Sequence, residues 1–417
     1  MSIKLRLIIM NFLQFFVWGV WLLSIGTYCM NTKGWTGAQF GAIFSTMGLA
    51  SILMPTVVGI IADRWVNAEK LYGILHFFYG LFLFYVPQVE TPETLYYIIL
   101  GAMICYMPTI ALSNSISYTI LNKNNYDVLK SFPTIRTFGT IGFFIAMWIT
   151  NLTNSNLNSN QFYIGGVFAI LLGIYSFTLP QCAPSNLVPK NANFMDVLGL
   201  NAFKLFRNYK MAIFFIFSLL IGFSLQLSNM YADSFLRDFS LNPEYKESFV
   251  VNNSLFVISI SQIFESIFLI TIPFFLRKYG IKNVILFSMI AWVLRFGLFS
   301  IGNPGSGFIF IFLSCVVYGL AFDFFNVSGS LFIETNTDSK IRSSAQGLFM
   351  LMTNGIGAWL GSMISGWAID RYFTIDNVKN WGDIWFAFAI YPLVLAILFF
   401  ILFKHKHKPE EFQDFAH

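Results

Sequence analysis

The sequence predicts an all-α polytopic membrane protein with twelve transmembrane helices in two six-helix bundles. Three observations support this fold class: the composition, a series of apolar runs, and a polar connection halfway along the chain. Of 417 residues, 56% are hydrophobic and only 11% are charged, whereas soluble domains carry roughly 25% charged residues. Fifty phenylalanines would cause aggregation in water, so we expect most of the chain to lie in a lipid bilayer.

Twelve apolar runs follow one another along the chain. About 20 apolar residues are enough for a helix to cross a bilayer, and each run is close to that length. Turn residues and charges separate the runs, for example at 31–34 and 303–305. The predicted spans are 5–28, 37–62, 70–89, 93–118, 134–151, 161–180, 210–236, 248–276, 282–302, 306–333, 341–369 and 381–403.

Lysine and arginine residues predict which side of the membrane each connection faces. If the N-terminus is cytoplasmic, eighteen of them fall in inner segments and five in outer loops, which is a clear positive-inside bias. We therefore expect both termini in the cytoplasm. The five outer residues are Lys33, Arg237, Lys246, Arg371 and Lys379.

A long polar connection at 181–209 divides the spans six and six. It contains Pro184, Pro189 and several asparagines, which is typical of a linker between domains. A weak internal repeat agrees, because Tyr106 and Asn114 have the same spacing as Tyr318 and Asn326. Tandem six-span halves are typical of a rocking transporter. The predicted domains are an N-terminal bundle at 1–180, a cytoplasmic linker at 181–209, a C-terminal bundle at 210–404 and a cytoplasmic tail at 405–417.

Two acidic residues, Glu265 and Asp323, lie inside apolar runs. A charge at the centre of a membrane helix is unfavourable by about 3 kcal/mol, so such residues are usually functional. Shielding from water favours the protonated form of a carboxyl group, which suits a proton carrier. The residues alone do not separate a proton from a sodium ion. A third acid, Asp233, lies near the outer end of its run and is expected to reach water.

Helical spacing places other polar residues on common faces. Each of these faces also fits simple inter-helix hydrogen bonding, worth about 0.6 kcal/mol per bond. The relevant sets are Gln14 with Trp18; Arg136, Thr140 and Phe143; Gln226, Asn229 and Asp233; Gln262 and Glu265; and Asp323 with Asn326.

Three basic side chains within or beside the spans each allow two interpretations. Arg136 either begins its helix and snorkels to the inner surface or lines a cavity. Arg295 lies about 10 Å from the outer end of its span, by helical rise, and snorkelling or an inter-helix partner is favoured there over a functional role. His76 is interpreted as a structural histidine in preference to a proton relay.

The polar residues within the spans predict an uncharged cargo that carries hydroxyl and amide groups. Gln, Asn and Thr both donate and accept hydrogen bonds, and Phe143, Phe322 and Trp18 offer flat apolar faces. Stacking of a base on an aromatic ring is worth about 1–3 kcal/mol in nucleic-acid-binding proteins. A molecule with both a sugar and a base fits these residues, and a sugar or oligosaccharide stays open as the alternative.

Six stretches together resemble the bacterial nucleoside:proton symporters of the nucleoside permease G type. A shorter stretch, 59–64, resembles the G-x-x-x-D-R loop of the major facilitator superfamily to which that family belongs. The resemblance extends over nearly all of the chain. The six stretches are 12–19, 132–142, 211–218, 259–265, 318–326 and 344–355.

The resemblance implies a major facilitator fold and proton-coupled uptake of purine and pyrimidine nucleosides. Uptake would proceed by alternating access of a central cavity between the two bundles. Asp323 and Glu265 would couple the proton. The implied substrate-binding positions are Arg136, Thr140, Phe143, Gln226, Asn229, Gln262, Glu265, Phe322 and Asp323, to which the helical face adds Asn326.

The expected partners are nucleosides, protons and the lipid bilayer of a bacterial cytoplasmic (inner) membrane. We expect a monomer that binds no nucleic acid, metal or cofactor. An enzyme is not expected, because the spans hold a single histidine, His76, and the sequence lacks HExxH and GxSxG motifs.

Overall fold

The computed structural model of the chain describes residues 2–184, 200–338 and 341–406. It divides into two compact units, Met1–Leu198 and Gly199–His417, which we call unit 1 and unit 2. Much of the predicted linker, 185–199, and most of the predicted tail, 407–417, lie outside the described residues. The predicted domain boundaries therefore stay a prediction.

Unit 1 is built from helices whose ends match capping signals in the sequence. Thr36 and Gln39 form a capping box at the start of α3, and the Asp127 side chain accepts a hydrogen bond from the Lys130 backbone at the start of α6. The helices are α1 (Ile3–Gly19), α2 (Ile25–Thr27, continuing as a π-helix over Tyr28–Thr32), α3 (Gly37–Arg64), α4 (Ala68–Tyr85), α5 (Pro92–Lys123), α6 (Val128–Leu152) and α7 (Asn160–Ser176).

Unit 2 begins with a 3₁₀-helix, Leu200–Arg207, and continues with longer helices. Gly280 has φ 75° and ψ 166°, so it breaks the longest helix, and two predicted spans share that helix. The helices are α8 (Tyr209–Asp238), α9 (Phe249–Asn252), α10 (Ser254–Ile301), α11 (Phe308–Asn336), α12 (Arg342–Met350, continuing as a π-helix over Leu351–Gly357), α13 (Ala358–Tyr372) and α14 (Trp381–Leu402).

Nine helices within the described ranges are long and apolar enough to cross a membrane. One of these nine is α10, which holds the predicted spans 248–276 and 282–302 on either side of Gly280. Two shorter helices, α1 and α7, have 17 residues each and match the first and sixth predicted spans. The prediction of a helical polytopic protein is confirmed, and the number of twelve crossings stays a prediction.

A small hairpin that the sequence analysis did not predict lies between α13 and α14. Strands β1 (Thr374–Ile375) and β2 (Val378–Lys379) pair antiparallel. Asp376 and Asn377, which lie between the two strands, have φ values of 49° and 63°. Left-handed values at both positions are expected for a two-residue hairpin turn. The hairpin is too short to produce an alternating apolar pattern, so the sequence reading missed it.

Glycines let the helices that carry the predicted site residues approach each other closely. A Cβ atom added at Gly319 of α11 would lie 2.7 Å from the Cα atom of Glu265 in α10. In unit 1, a Cβ atom at Gly142 of α6 would clash with the backbone carbonyl of Phe12 in α1. Small residues at such crossings are characteristic of packed membrane helices.

We expect Gly319→Ala to destabilise the protein. The added methyl group meets backbone atoms of Glu265 and Phe264 at 2.7 Å, and such overpacking typically costs about 1–3 kcal/mol. The measurement is the thermal midpoint Tm of the purified protein. The matched control is Gly297→Ala, because nothing lies within 4 Å of the added Cβ atom there. A Gly319→Ala variant that matches this control would contradict the expectation.

Candidate functional site

One face of α6 in unit 1 carries Arg136, Thr140 and Phe143, at the helical spacing that the sequence predicted. All three side chains are partly exposed. The guanidinium carbon of Arg136 lies 4.1 Å from the ring centroid of Phe15 in α1. A Cβ atom at Gly139 would lie 2.6 Å from that ring and 2.9 Å from Arg136. The glycine therefore opens the space in which the cation stacks on the ring.

Aromatic rings continue this face of unit 1. The Trp18 ring meets the Phe143 ring edge-on with centroids 6.1 Å apart. It also packs against the Tyr106 ring, with centroids 5.3 Å apart. Within the part of the chain that the structure describes, the buried indole nitrogen of Trp18 has no hydrogen-bond partner. The face thus combines a cation, a hydroxyl and flat apolar surfaces.

Gln14 is fully buried in unit 1, so it does not line a cavity. Its Oε1 accepts a hydrogen bond from the Tyr72 hydroxyl at 2.6 Å and lies 2.9 Å from Nε2 of His76. Its Nε2 donates to the Thr109 hydroxyl at 2.9 Å. These contacts join three helices and agree with the interpretation of His76 as a structural residue.

In unit 2, several predicted site residues present polar atoms that the described chain leaves without a partner. The side-chain amides of Gln226 and Asn229 on α8 are partly exposed. On α10 and α11, the buried atoms Gln262 Oε1 and Asp323 Oδ2 have no hydrogen-bond partner among the described residues. Buried polar atoms are nearly always hydrogen-bonded in stable proteins, so these positions suit a ligand or a proton.

The two acids are brought together where α10 and α11 cross. Asp323 is 7% exposed, and Glu265 is the charged group that acts on it electrostatically. Next to Asp323, the Phe322 ring stacks on Tyr318 with an interplanar angle of 4° and centroids 5.9 Å apart. Unit 2 therefore places a flat aromatic surface beside a pair of carboxyl groups.

Asn326 lies one helical turn further along α11 and donates a hydrogen bond to the Phe322 carbonyl at 3.0 Å. It also lines a cavity of about 500 Å³ between α10 and α11. That volume lies within the range of about 300–1,000 Å³ that is usual for small-molecule pockets. The polar residues Ser330 and Glu334 extend the same wall, so a polar stripe continues from Asn326 along α11.

The C-terminal end of α8 corrects two predictions. Asp233 is only 1% exposed and accepts a hydrogen bond of 2.5 Å from the Ser254 hydroxyl. Arg237, assigned to an outer loop, belongs to α8, is 7% exposed and donates to the same hydroxyl at 3.0 Å. Distance from the end of an apolar run does not reveal whether a side chain faces inward, and here both face inward.

Arg295 has inter-helix partners, which was one of the two accounts that the sequence favoured; the other was snorkelling. Its side chain is 1% exposed, so it does not snorkel to the surface. It donates hydrogen bonds to Ser228, Ser261 and the carbonyl of Ser314. The serines are visible in the sequence as possible partners, but helical spacing does not show which residues on different helices meet.

Comparison with known proteins identifies the family. The model of the family described as nucleoside H⁺ symporter matches residues 1–408. The chain belongs to the nucleoside H⁺ symporter family. This membership confirms the predicted resemblance and the prediction of a transporter, not an enzyme.

Two curated relatives of this symporter come from Escherichia coli strain K12. Xanthosine permease is 49% identical over 417 residues, which is 100% of this chain and 99% of the relative. The nucleoside permease NupG is 45% identical over 408 residues, covering 98% of this chain and 97% of the relative.

The fold of the symporter also matches a solved structure. A crystal structure of an aspartate-to-alanine variant of the nucleoside transporter NupG superposes with a TM-score of 0.94, at 44% identity, over 97% of this chain and 100% of that one. This match confirms an all-helical fold of the major facilitator type. The assignment of individual substrate-binding residues stays a prediction.

We expect Gln14→Leu to lower the Tm of the symporter. The leucine would leave the Tyr72 hydroxyl and the Nε2 atom of His76 without the partner that Gln14 provides, and each unsatisfied buried group costs about 1–3 kcal/mol. The control is Gln88→Leu, because Gln88 is exposed and makes only a 3.3 Å hydrogen bond with Tyr163. Equal Tm values for the two variants would show that the buried network adds no stability.

Proposed function

We propose that the chain is a proton-coupled nucleoside uptake transporter that works by alternating access. Membership of the nucleoside H⁺ symporter family over residues 1–408 carries this proposal. The site supports it, because unit 2 combines two interacting acids with unpartnered amide and carboxyl oxygens. An amide-rich, aromatic-lined face suits the hydroxyl groups and the flat base of a nucleoside.

The proposed roles follow the chemistry of the side chains. Phe143 and Phe322 stack on the base. The amides of Gln226, Asn229 and Gln262 bind ribose hydroxyls or base edges. Four further residues complete the proposed site: Arg136, Thr140, Glu265 and Asn326.

Asp323 carries the proton in this proposal, with Glu265 as the second acid of the coupling pair. A potential of 100 mV is worth about 2.3 kcal/mol per charge. A tenfold concentration gradient costs about 1.4 kcal/mol. One proton per nucleoside therefore supports roughly fifty-fold accumulation.

The proposal includes the finer architecture and location. The chain forms twelve transmembrane helices in two six-helix bundles in a bacterial cytoplasmic membrane, as a monomer. Both termini face the cytoplasm, as the excess of basic residues in the inner segments favours. The substrates include purine and pyrimidine nucleosides.

Uptake into sealed liposomes with an acidified exterior tests the cargo. We expect labelled uridine to accumulate and unlabelled inosine, xanthosine and uridine to compete with it, whereas glucose, maltose and sucrose leave uptake unchanged. Competition by the sugars alone would establish the sugar symporter that the sequence left open. Absence of any nucleoside accumulation would contradict the proposed function.

Substitution of the acids tests the coupling mechanism. We expect Asp323→Asn to abolish accumulation driven by a pH gradient while nucleoside exchange across the membrane continues, because an amide cannot carry the proton. Glu265→Gln should weaken binding or coupling. The control is Asp383→Asn, since Asp383 is exposed in the first turn of α14, where its backbone N–H donates to the capping side chain of Asn380. Full accumulation in both acid variants would exclude the carboxyl groups as proton carriers.

A further inference from the structure

Arg295, in the second half of α10, is a charged residue of unit 2 that is only 1% exposed. Its Nε and Nη2 atoms donate to the Ser228 hydroxyl of α8 at 2.9 and 2.7 Å. Its Nη1 atom donates to the Ser261 hydroxyl at 3.3 Å and to the Ser314 carbonyl at 2.9 Å. The guanidinium carbon lies 4.5 Å from the ring centroid of Tyr318. One side chain therefore connects α8, both halves of α10, and α11.

These contacts fall directly behind predicted substrate residues. Ser228 precedes Asn229, and Ser261 precedes Gln262 and stands one helical turn before Glu265. The serines are buried, whereas the amide of Asn229 is partly exposed on another side of its helix. Arg295 thus bonds to both of these helices next to the residues that form the candidate site.

The ring contact reaches the same site from α11. Tyr318 lies between Arg295 and Phe322, since its ring contacts the guanidinium and also stacks on the Phe322 ring. The position of the proposed base-stacking surface therefore depends on the ring that Arg295 holds.

The charge of Arg295 is not neutralised by a direct partner. Lys130 pairs with Asp127 and Arg342 with Glu334, and within the part of the chain that the structure describes no ion pair includes Arg295. Removing a cation from water costs several kcal/mol. Polar contacts alone compensate that cost here, and an apolar side chain would fill the space without incurring it. Stability by itself is therefore a weak reason for an arginine at this position.

We propose that Arg295 is a positioning residue for nucleoside binding, which fixes the relative placement of α8, α10 and α11 through three serines and the Tyr318 ring. This inference rests on the proposed function and adds a residue that touches no substrate. Only a planar guanidinium reaches all of these partners at once, because it combines five donors in a fixed fork with a flat face. A lysine keeps the charge but has one compact donor group and cannot stack.

Arg295→Lys and Arg295→Met test this role together. We expect both variants to bind uridine about tenfold more weakly than the wild type and to show a raised KM for uptake, with Vmax within about twofold. The methionine variant should fold, because the freed serine hydroxyls can bond to carbonyls of their own helices. A purely structural defect would instead lower Vmax through loss of folded protein and leave KM unchanged.

The matched control is Arg237→Lys. Arg237 is also a buried arginine that bonds to a serine of another helix. It lies eight residues beyond Asn229 on α8, or about 12 Å by helical rise. We expect this control to lower Tm as much as Arg295→Lys does and to keep the Kd for uridine within about twofold of the wild type.

Three results separate the possible outcomes. Arg295 variants that bind uridine within twofold of a functional wild type would overturn the inference and leave the proposed function standing. A wild type that binds no nucleoside would overturn the proposed function itself. If both Arg295 variants fail to fold, Ser228→Ala decides, with an expected three- to tenfold weaker Kd; an unchanged Kd in that variant would overturn the inference.

Discussion

Inside a membrane, lipid offers no hydrogen-bond partner, so each polar atom must find one in the chain, in bound water or in a ligand. This constraint separates the polar residues of the symporter into two groups. Gln14 in unit 1 and Arg295 in unit 2 each have hydrogen-bond partners within their own unit. These hydrogen bonds join neighbouring helices. Gln262 and Asp323 each keep a buried oxygen without a partner in the described chain, and they mark the candidate site.

Close helix packing makes it possible for these residues to form the candidate site. The crossing of α10 and α11 at Gly319 brings Glu265 near Asp323 without any direct bond between their backbones. In unit 1, the corresponding glycine is Gly139, which leaves room for Arg136 to lie on Phe15. In both units, glycines therefore allow the functional side chains to take these positions.

The class of the protein, its helices and the faces of its candidate site could be predicted from the sequence, because apolar runs and helical periodicity act locally. Partners on other helices could not. Asp233 and Arg237 share Ser254 deep in unit 2, although their places near the end of a run suggested exposure. The break at Gly280 agrees with the sequence, because the predicted spans 248–276 and 282–302 lie on either side of it. Family resemblance, and not periodicity, selected the binding residues, and their roles still await the experiments above.

The π-helix at Leu351–Gly357 changes how the eleventh predicted span can be read. A π-turn holds one residue more than an α-turn, and one residue corresponds to about 100° of rotation around a helix axis. Side chains of α13 therefore point about a quarter-turn away from the direction that an uninterrupted helix from Arg342 would give them. A helical wheel drawn through the whole span therefore assigns residues beyond Gly357 to the wrong face of the helix. An alanine scan of this region should use a separate helical wheel that starts at Ala358.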